Sequence, residues 1–216
     1  MKKSLQTLFL NWPKAWIHDS DLAILLENST QGRYGLVKRA LAEGSLIRLK
    51  RGFYLIGKPY KQELPSSYEI AQLLYGPSYI SLESALSYHQ WIPEAVYTTT
   101  SVAPKRQRNF ETSLGLFHFA TTPLKNFYEG VQKIDLNNTH YLMASPIKAL
   151  ADYIYVYKKS WGNLDDMTVD LRIETELLHT VDLSQIRQLA DGYPNKRVQK
   201  FLALIGKRPS RMWPGF

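Results

Sequence analysis

The fold expected for the N-terminal part of the chain follows from residues 20–56, SDLAILLENSTQGRYGLVKRALAEGSLIRLKRGFYLI. Ser20 precedes an acidic turn and a run of apolar residues, which is the pattern of an N-capped amphipathic helix. After a break at residues 28–30, apolar residues recur at one-face spacing over about residues 31–43, and Gly44 follows as a stop signal. The stretch therefore begins with two consecutive predicted helices.

Two β-prone runs follow, at residues 46–50 and 53–56, and they flank Arg51-Gly52. Two such runs separated by a two-residue turn predict a tight β-hairpin. A further short helix is predicted upstream at residues 4–11. Three helices followed by a hairpin is the element order of a winged helix-turn-helix, so that fold is expected for residues 1–60.

The predicted fold class of the whole chain is α+β: an N-terminal winged helix-turn-helix, a linker and a mixed α/β C-terminal domain. Residues 61–66 are assigned to the linker and residues 67–216 to the second domain, because the segment between them is polar and interrupted by prolines. Within that domain the patterns predict helices at 68–75 and 82–89, strands at 95–102, 109–112, 116–120 and 140–144, a helix opened by Ser145-Pro146, and mostly helix from about Leu164.

The positive charge is concentrated at the N-terminus. The chain has a formal net charge of +8, and residues 1–60 hold 10 Lys and Arg against 4 Asp and Glu, which is +6 of that total. Such a distribution is typical of a module that faces phosphates, although a basic surface that serves only solubility remains the alternative.

The outward face of the helix predicted at residues 31–43 carries groups that can read DNA. The positions opposite its apolar face are Gln31, Gly35, Lys38, Arg39 and Ala42. Gln and Arg side chains can form paired hydrogen bonds with adenine and guanine edges, whereas Lys suits a phosphate better. Near the amino end, Arg33 and Tyr34 are equally well placed to enter a major groove. A start at Tyr34 is the alternative, because the glycines at positions 32 and 35 weaken a helix.

Two further basic groups are candidates for nucleic-acid contact. The hairpin carries Arg48, Lys50 and Arg51, and Gly52 allows its tip to approach a backbone closely. In the second domain, a predicted hairpin loop carries Lys105, Arg106 and Arg108. For this second group a solvated face, a protein partner and a DNA contact all remain open.

The sequence predicts no enzymatic activity, no cofactor and no metal site. It contains no cysteine, no G-x-S-x-G elbow and no glycine-rich phosphate loop, and its five histidines form no ligand pair. An acidic group in the C-terminal third could line one side of a helix and hold magnesium, although acidic residues in a first turn more often interact with the helix dipole. The group consists of Asp165, Asp166, Asp170 and Glu174.

Targeting signals are not evident. The N-terminal apolar stretch is too short for a signal peptide, and no uninterrupted apolar run approaches the roughly 20 residues of a membrane span. We therefore expect a cytoplasmic protein without a membrane partner.

Four stretches, taken together and in this order, resemble the AbiEi family of antitoxin-like transcriptional regulators from type IV toxin–antitoxin and phage-defence systems. They are LIRLKRGFY at 46–54, YISLESAL at 79–86, IPEAVY at 92–97 and ASPIKALAD at 144–152. The first alone is common among winged helices, and the last sixty residues match no motif of the family.

The resemblance implies a repressor whose winged helix binds double-stranded DNA at operator repeats upstream of its own operon. It also implies a C-terminal antitoxin domain that joins in DNA binding and counters a nucleotidyltransferase toxin without a stable complex. Two alternatives stay open: a stand-alone winged-helix regulator whose second domain binds a protein or small effector, and a nuclease-like enzyme built on the acidic group named above.

Overall fold

The computed structural model describes residues 5–26, 29–58, 60–61, 63–122, 125, 127–136 and 139–207. The chain divides into two compact units. The N-terminal unit comprises Met1–Ile70 and Phe110–Gly115, and the C-terminal unit comprises Ala71–Asn109 and Leu116–Phe216. Helices and two β-sheets are both present, so the predicted α+β class is confirmed.

The N-terminal unit contains a small sheet and three helices before α4. In chain order its elements are α1 (Leu5–Asn11), β1 (Trp16–His18), α2 (Asp19–Leu26), α3 (Thr30–Ala42), β2 (Leu46–Lys50) and β3 (Phe53–Ile56). The sheet order is β1-β3-β2, and both pairings are antiparallel. The predicted helices and hairpin are confirmed. Strand β1 was not predicted, because three residues are too few to show an alternating pattern.

The core of this unit draws on α1 to α3 and β1 to β3. Apolar side chains from the helices meet the inner face of the small sheet and are almost completely buried, as burial of apolar surface requires. The cluster consists of Leu8, Phe9, Ile17, Leu22, Leu26, Val37, Ala40, Leu46, Tyr54 and Ile56. Val37 and Ala40 pack one face of α3 against the core, and the opposite face is therefore exposed to solvent.

Helix α3 starts at Thr30, close to the predicted start at about residue 31 and before the alternative start at Tyr34. The Ser29 side chain caps it by accepting a hydrogen bond from the Gly32 backbone N–H at 3.1 Å. This cap compensates for the weak helix propensity of the glycines in the first turns. Gly44, with φ of 73°, follows the helix end as predicted.

The β2–β3 hairpin contains a bulge beside its tip. Arg48 pairs with Tyr54 and Lys50 pairs with Phe53, so Leu49 is an extra residue on β2. The bulge allows Leu49 to be buried while Arg48 stays exposed. At the tip, Gly52 has φ of 70°, a conformation that favours glycine.

The remaining elements are α4 (Ser67–Leu74), β4 (Tyr79–Ile80), α5 (Leu82–Tyr88), β5 (Thr98–Ala103), β6 (Arg108–Thr112), β7 (Gly115–Thr121), β8 (Val131–Leu136), β9 (Thr139–Ala144), α6 (Pro146–Tyr157), α7 (Leu164–Leu171), α8 (Thr175–Leu178), α9 (Leu183–Gly192) and α10 (Lys196–Gly206). Strands β4 to β9 form a mixed sheet in the order β6-β7-β5-β4-β9-β8. The C-terminal third is helical from Leu164, as predicted.

Three strands of the mixed sheet differ from the predictions. Strand β4 was not predicted, because two residues are too few to show an alternating pattern. Strand β5 starts at Thr98 and not at Ala95, because its pairing with the parallel strand β7 begins with Thr98 opposite Leu116. Strand β8 was not predicted; it lies at the sheet edge and is defined by antiparallel pairing with β9. Strands β5 and β8 depend on pairing partners that local sequence does not specify.

Candidate functional site

A groove lies between α3 and the β2–β3 hairpin of the N-terminal unit. Its volume is about 790 Å³. Side chains from the helix form one wall and side chains from the hairpin form the other. They are Asp19, Thr30, Arg33, Tyr34, Val37, Lys38, Leu41, Arg48, Arg51, Gly52 and Tyr54.

Cations lie on both walls of this groove. Lys38 is exposed on α3, and Arg48 and Arg51 are exposed on the hairpin. The bulge at Leu49 and the turn at Gly52 direct these arginines away from the core, as described above. The groove can therefore receive an anionic ligand that contacts a helix and a hairpin at once.

Arg33 has an internal partner. Its Nε lies 3.3 Å from Oδ1 of Asp19, and the Arg33 side chain is only 16% exposed. The Asp19 backbone N–H in turn donates to the carbonyl of Gly52 at 2.9 Å. Arg33 thus connects the first turn of α3 to the start of α2 and, through Asp19, to the hairpin tip.

Two tyrosines line the groove in different environments. Tyr34 is 69% exposed on α3 and is free to meet a ligand. Tyr54 is buried, and burial, followed by the nearby charge of Asp19, raises the pKa of its hydroxyl above the ordinary value. Tyr54 therefore remains a neutral hydrogen-bonding group at physiological pH.

The other predicted contact residues of the N-terminal unit do not line the groove. Gln31 and Arg39 are exposed on α3 outside it. Lys50 is half-buried, with its Nζ 5.5 Å from the centre of the Phe53 ring, which stacks on His18 at 4.2 Å. The structure therefore brings together Arg33, Tyr34, Lys38, Arg48 and Arg51 from the predicted set.

The second basic group belongs to the C-terminal unit and packs around Tyr75. Lys105 donates to the Gly76 carbonyl at 2.6 Å, and its Nζ lies 5.4 Å from the Tyr75 ring centre. The Arg108 guanidinium lies 5.9 Å from the same ring, and the Tyr75 hydroxyl donates to the Arg106 carbonyl at 3.1 Å. These contacts hold the loop between β5 and β6, while its cations stay exposed.

A buried polar network in the C-terminal unit was not predicted. Lys148 Nζ lies 2.9 Å from Asp152 Oδ1 and 2.9 Å from the Tyr193 hydroxyl, and both charged side chains are completely buried. Asp152 also accepts from Ser81 at 2.6 Å and from Tyr79 at 3.0 Å. The signal that could have revealed it is a lysine and an aspartate four residues apart within an otherwise apolar helix.

Burial is the largest cause of the pKa shifts in this network. Burial lowers the pKa of Lys148, although the adjacent Asp152 carboxylate acts in the opposite direction. Burial and the same carboxylate raise the pKa values of Tyr79 and Tyr193 well above the ordinary value. The network is therefore an ion pair enclosed by neutral hydroxyls, and its five members join β4, α6 and the segment after α9.

Two members of the acidic group considered for magnesium, Asp166 and Asp170, have other partners. Asp166 forms a capping box with Asn163 at the start of α7, and Asp170 accepts from Lys159 at 2.7 Å and from Trp161 at 2.9 Å. Within the described ranges, no group of three or more His, Cys, Asp or Glu residues could hold a metal ion. Asp166 therefore serves as a helix-capping residue.

Comparison with known proteins adds no relative. No protein-family model matches the chain, and no curated protein matches it significantly. Among the helices that the structure describes, none has both the length and the apolar character of a membrane span.

Proposed function

We propose that the N-terminal unit is a winged helix-turn-helix that binds double-stranded DNA, with α3 as the recognition helix and the β2–β3 hairpin as the wing. The observation that carries the proposal is the groove whose two walls present Lys38 from the helix and Arg48 and Arg51 from the hairpin. Duplex DNA is the elongated anionic ligand that a helix and a hairpin commonly contact together.

The exposed face of α3 has the chemistry to read bases. Gln31 can pair with adenine and Arg39 with guanine, whereas Lys38 suits a phosphate. Tyr34 is exposed and is available for an apolar contact in the major groove of the DNA. Because Arg33 is bound to Asp19, its proposed role is to position α3, and base contact by Arg33 requires that ion pair to open.

We assign the hairpin cations to phosphates of the DNA backbone that flanks the base-reading site. Arg48, Lys50 and Arg51 would neutralise phosphates beside the site read by α3, which gives affinity without sequence information. Lys105, Arg106 and Arg108 are proposed as additional phosphate contacts from the C-terminal unit, in keeping with the implied participation of that domain. No catalytic activity is assigned to either unit.

For the biological role, we propose a cytoplasmic repressor that binds repeats upstream of its own operon and acts as a type IV antitoxin against a nucleotidyltransferase toxin. This part rests on the resemblance of the four sequence stretches to the AbiEi family.

A stand-alone regulator is the second candidate, favoured by a cleft of about 260 Å³ in the C-terminal unit. Lys158 and Arg197 lie in that cleft and could hold an anionic effector.

The test of DNA binding is fluorescence anisotropy with a labelled duplex from upstream of the gene and a scrambled duplex of equal length. We expect tighter binding to the upstream duplex, and a loss of affinity on Lys38→Ala or Arg51→Ala. Lys200→Ala is the charge-matched control, since Lys200 is exposed on α10 and should bind as the wild type. Equal, weak binding to both duplexes would contradict the proposal.

The antitoxin role needs a separate test. Co-expression with a nucleotidyltransferase encoded beside the gene should restore growth that the nucleotidyltransferase alone arrests. Failure of rescue by a well-expressed wild-type protein that binds its upstream duplex would favour the stand-alone regulator.

A further inference from the structure

Gly35 lies in the middle of the exposed face of α3. Gln31 lies one turn before it, and Lys38 and Arg39 lie one turn after it, all three exposed. A Cβ added at Gly35 would have nothing within 4 Å. This is a position at which the N-terminal unit has room for any small side chain.

Nothing in the packing of the described residues requires a glycine there. Gly35 does not have the left-handed φ found at Gly44 and Gly52, and no neighbouring atom occupies the space of a side chain. A glycine inside a helix is less favourable than alanine, because it has greater freedom to lose on folding. Its position at the centre of the proposed reading face therefore points to something outside the folded chain.

We infer that Gly35 is the point of closest approach between α3 and the DNA, an inference that rests on the DNA-binding function proposed above. A helix with its side chains is about 10–12 Å wide and the major groove is about 12 Å wide, so little clearance remains. Without a side chain at position 35, the helix backbone comes into van der Waals contact with the groove. Gln31 on one side then reaches base edges and Lys38 on the other reaches a phosphate.

The experiment separates folding from binding, because the two effects of one substitution have opposite signs. Gly35→Ala should leave the melting temperature equal to or above that of the wild type. The same variant should bind the upstream duplex about tenfold more weakly or worse, which is the effect of removing one paired hydrogen bond to a base. Gly35→Leu should weaken binding further, because the larger side chain holds the helix farther from the groove.

Gly192→Ala is the matched control. Gly192 is also a helical glycine with nothing within 4 Å of an added Cβ, but it is buried at the end of α9 in the C-terminal unit. We expect Gly192→Ala to bind the upstream duplex as the wild type does.

Each result has a defined meaning. Normal stability with graded loss of affinity from Gly35→Ala to Gly35→Leu supports close approach. Unchanged affinity of both variants, with a wild type that binds, overturns the close approach and leaves the DNA-binding function intact. A lowered melting temperature of Gly35→Ala also overturns it, since the glycine then serves the fold. A wild type that binds neither duplex overturns the proposed function itself.

Discussion

At the level of single residues, Lys148 and Asp152 form an ion pair inside the C-terminal unit. Both side chains are fully buried, and each depends on the other for charge compensation. A buried ion pair adds little net stability over an apolar pair, but removal of one partner leaves a charge that neither water nor a counterion can reach. The pair is therefore expected to make the C-terminal unit intolerant of substitution on this face of α6.

Lys148→Met should lower the free energy of unfolding by about 3–5 kcal/mol, because it leaves the Asp152 carboxylate uncompensated inside the protein. Urea denaturation followed by circular dichroism measures this change. Lys159→Met is the control: Lys159 pairs with Asp170 at 2.7 Å at the surface, and its removal should cost less than about 1 kcal/mol. Similar small decreases for both variants would show that the buried pair is not a constraint.

A second single-residue effect concerns His89. Its Nε2 donates to the Ala144 carbonyl at 3.0 Å, and burial lowers the pKa of the ring below its ordinary value, with that hydrogen bond partly opposing the shift. The folded protein therefore favours neutral His89. Above the unfolded pKa of about 6.5 the ring is neutral in both states, and below it the unfolded chain takes up the proton first.

Stability should accordingly fall as the pH decreases from about 7 through 6.5 toward the lower pKa of folded His89. His89→Gln retains a donor for the Ala144 carbonyl and does not titrate, so it should show a shallower decrease in stability over this range. Thermal melts of both proteins at matched ionic strength measure the difference. Parallel pH profiles would contradict the assignment to His89.

At the scale of elements, the small sheet is closed by a backbone contact at Gly57. The Gly57 N–H donates to the Ser45 carbonyl at 3.0 Å, which joins the end of β3 to the start of β2. A Cβ added at Gly57 would lie 2.3 Å from the Gly44 carbonyl oxygen, and a backbone atom cannot move aside as a flexible side chain can. The hairpin that carries Arg48 and Arg51 depends on this close packing.

Gly57→Ala should therefore destabilise the N-terminal unit by about 1–3 kcal/mol, the usual range for overpacking. The same substitution at Gly35 is expected to be neutral or stabilising, so the pair of variants tests the packing argument with identical chemistry. Chemical denaturation followed by Trp fluorescence is suitable, since Trp12 and Trp16 lie in this unit. Equal effects at the two positions would refute it.

At the scale of the whole molecule, the distribution of charge predicts how DNA affinity depends on salt. Residues 1–60 carry +6 of the net +8, so the cations that neutralise phosphates should come mainly from this part of the chain. The slope of log K against log salt concentration changes by about 0.9 for each phosphate that the protein neutralises. Removal of one such cation should therefore make the slope shallower by that amount.

Lys38→Ala and Arg51→Ala should each reduce that slope by about one while affecting upstream and scrambled duplexes alike, and Lys200→Ala should leave it unchanged. Gln31→Ala should instead reduce the preference for the upstream duplex and keep the slope. Anisotropy titrations over a series of salt concentrations measure both quantities. An unchanged slope in Lys38→Ala and Arg51→Ala would show that neither residue neutralises a phosphate.

Much of the N-terminal unit was predictable from the sequence, because its elements are specified locally. The apolar spacing in α2 and α3, the Ser29 region before α3, Gly44 after it and the two-residue turn at Arg51-Gly52 all act between residues a few positions apart. The clustering of cations on α3 and the hairpin was equally visible. The candidate groove follows from these elements once the hairpin packs beside α3.

Features that join distant parts of the chain arise from tertiary packing alone. Strands β1 and β8 exist because β3 and β9 offer them backbone partners, and the ion pair of Arg33 with Asp19 requires α2 and α3 to pack together. Tyr79 meets Asp152 across a separation of 73 residues. Local propensity cannot specify such contacts, because their free energy arises only when burial brings the partners together. Local sequence thus specified the helices, the β2–β3 hairpin and the charge they carry, whereas folding added the strands that need a distant partner and set which side chains are left to meet a ligand.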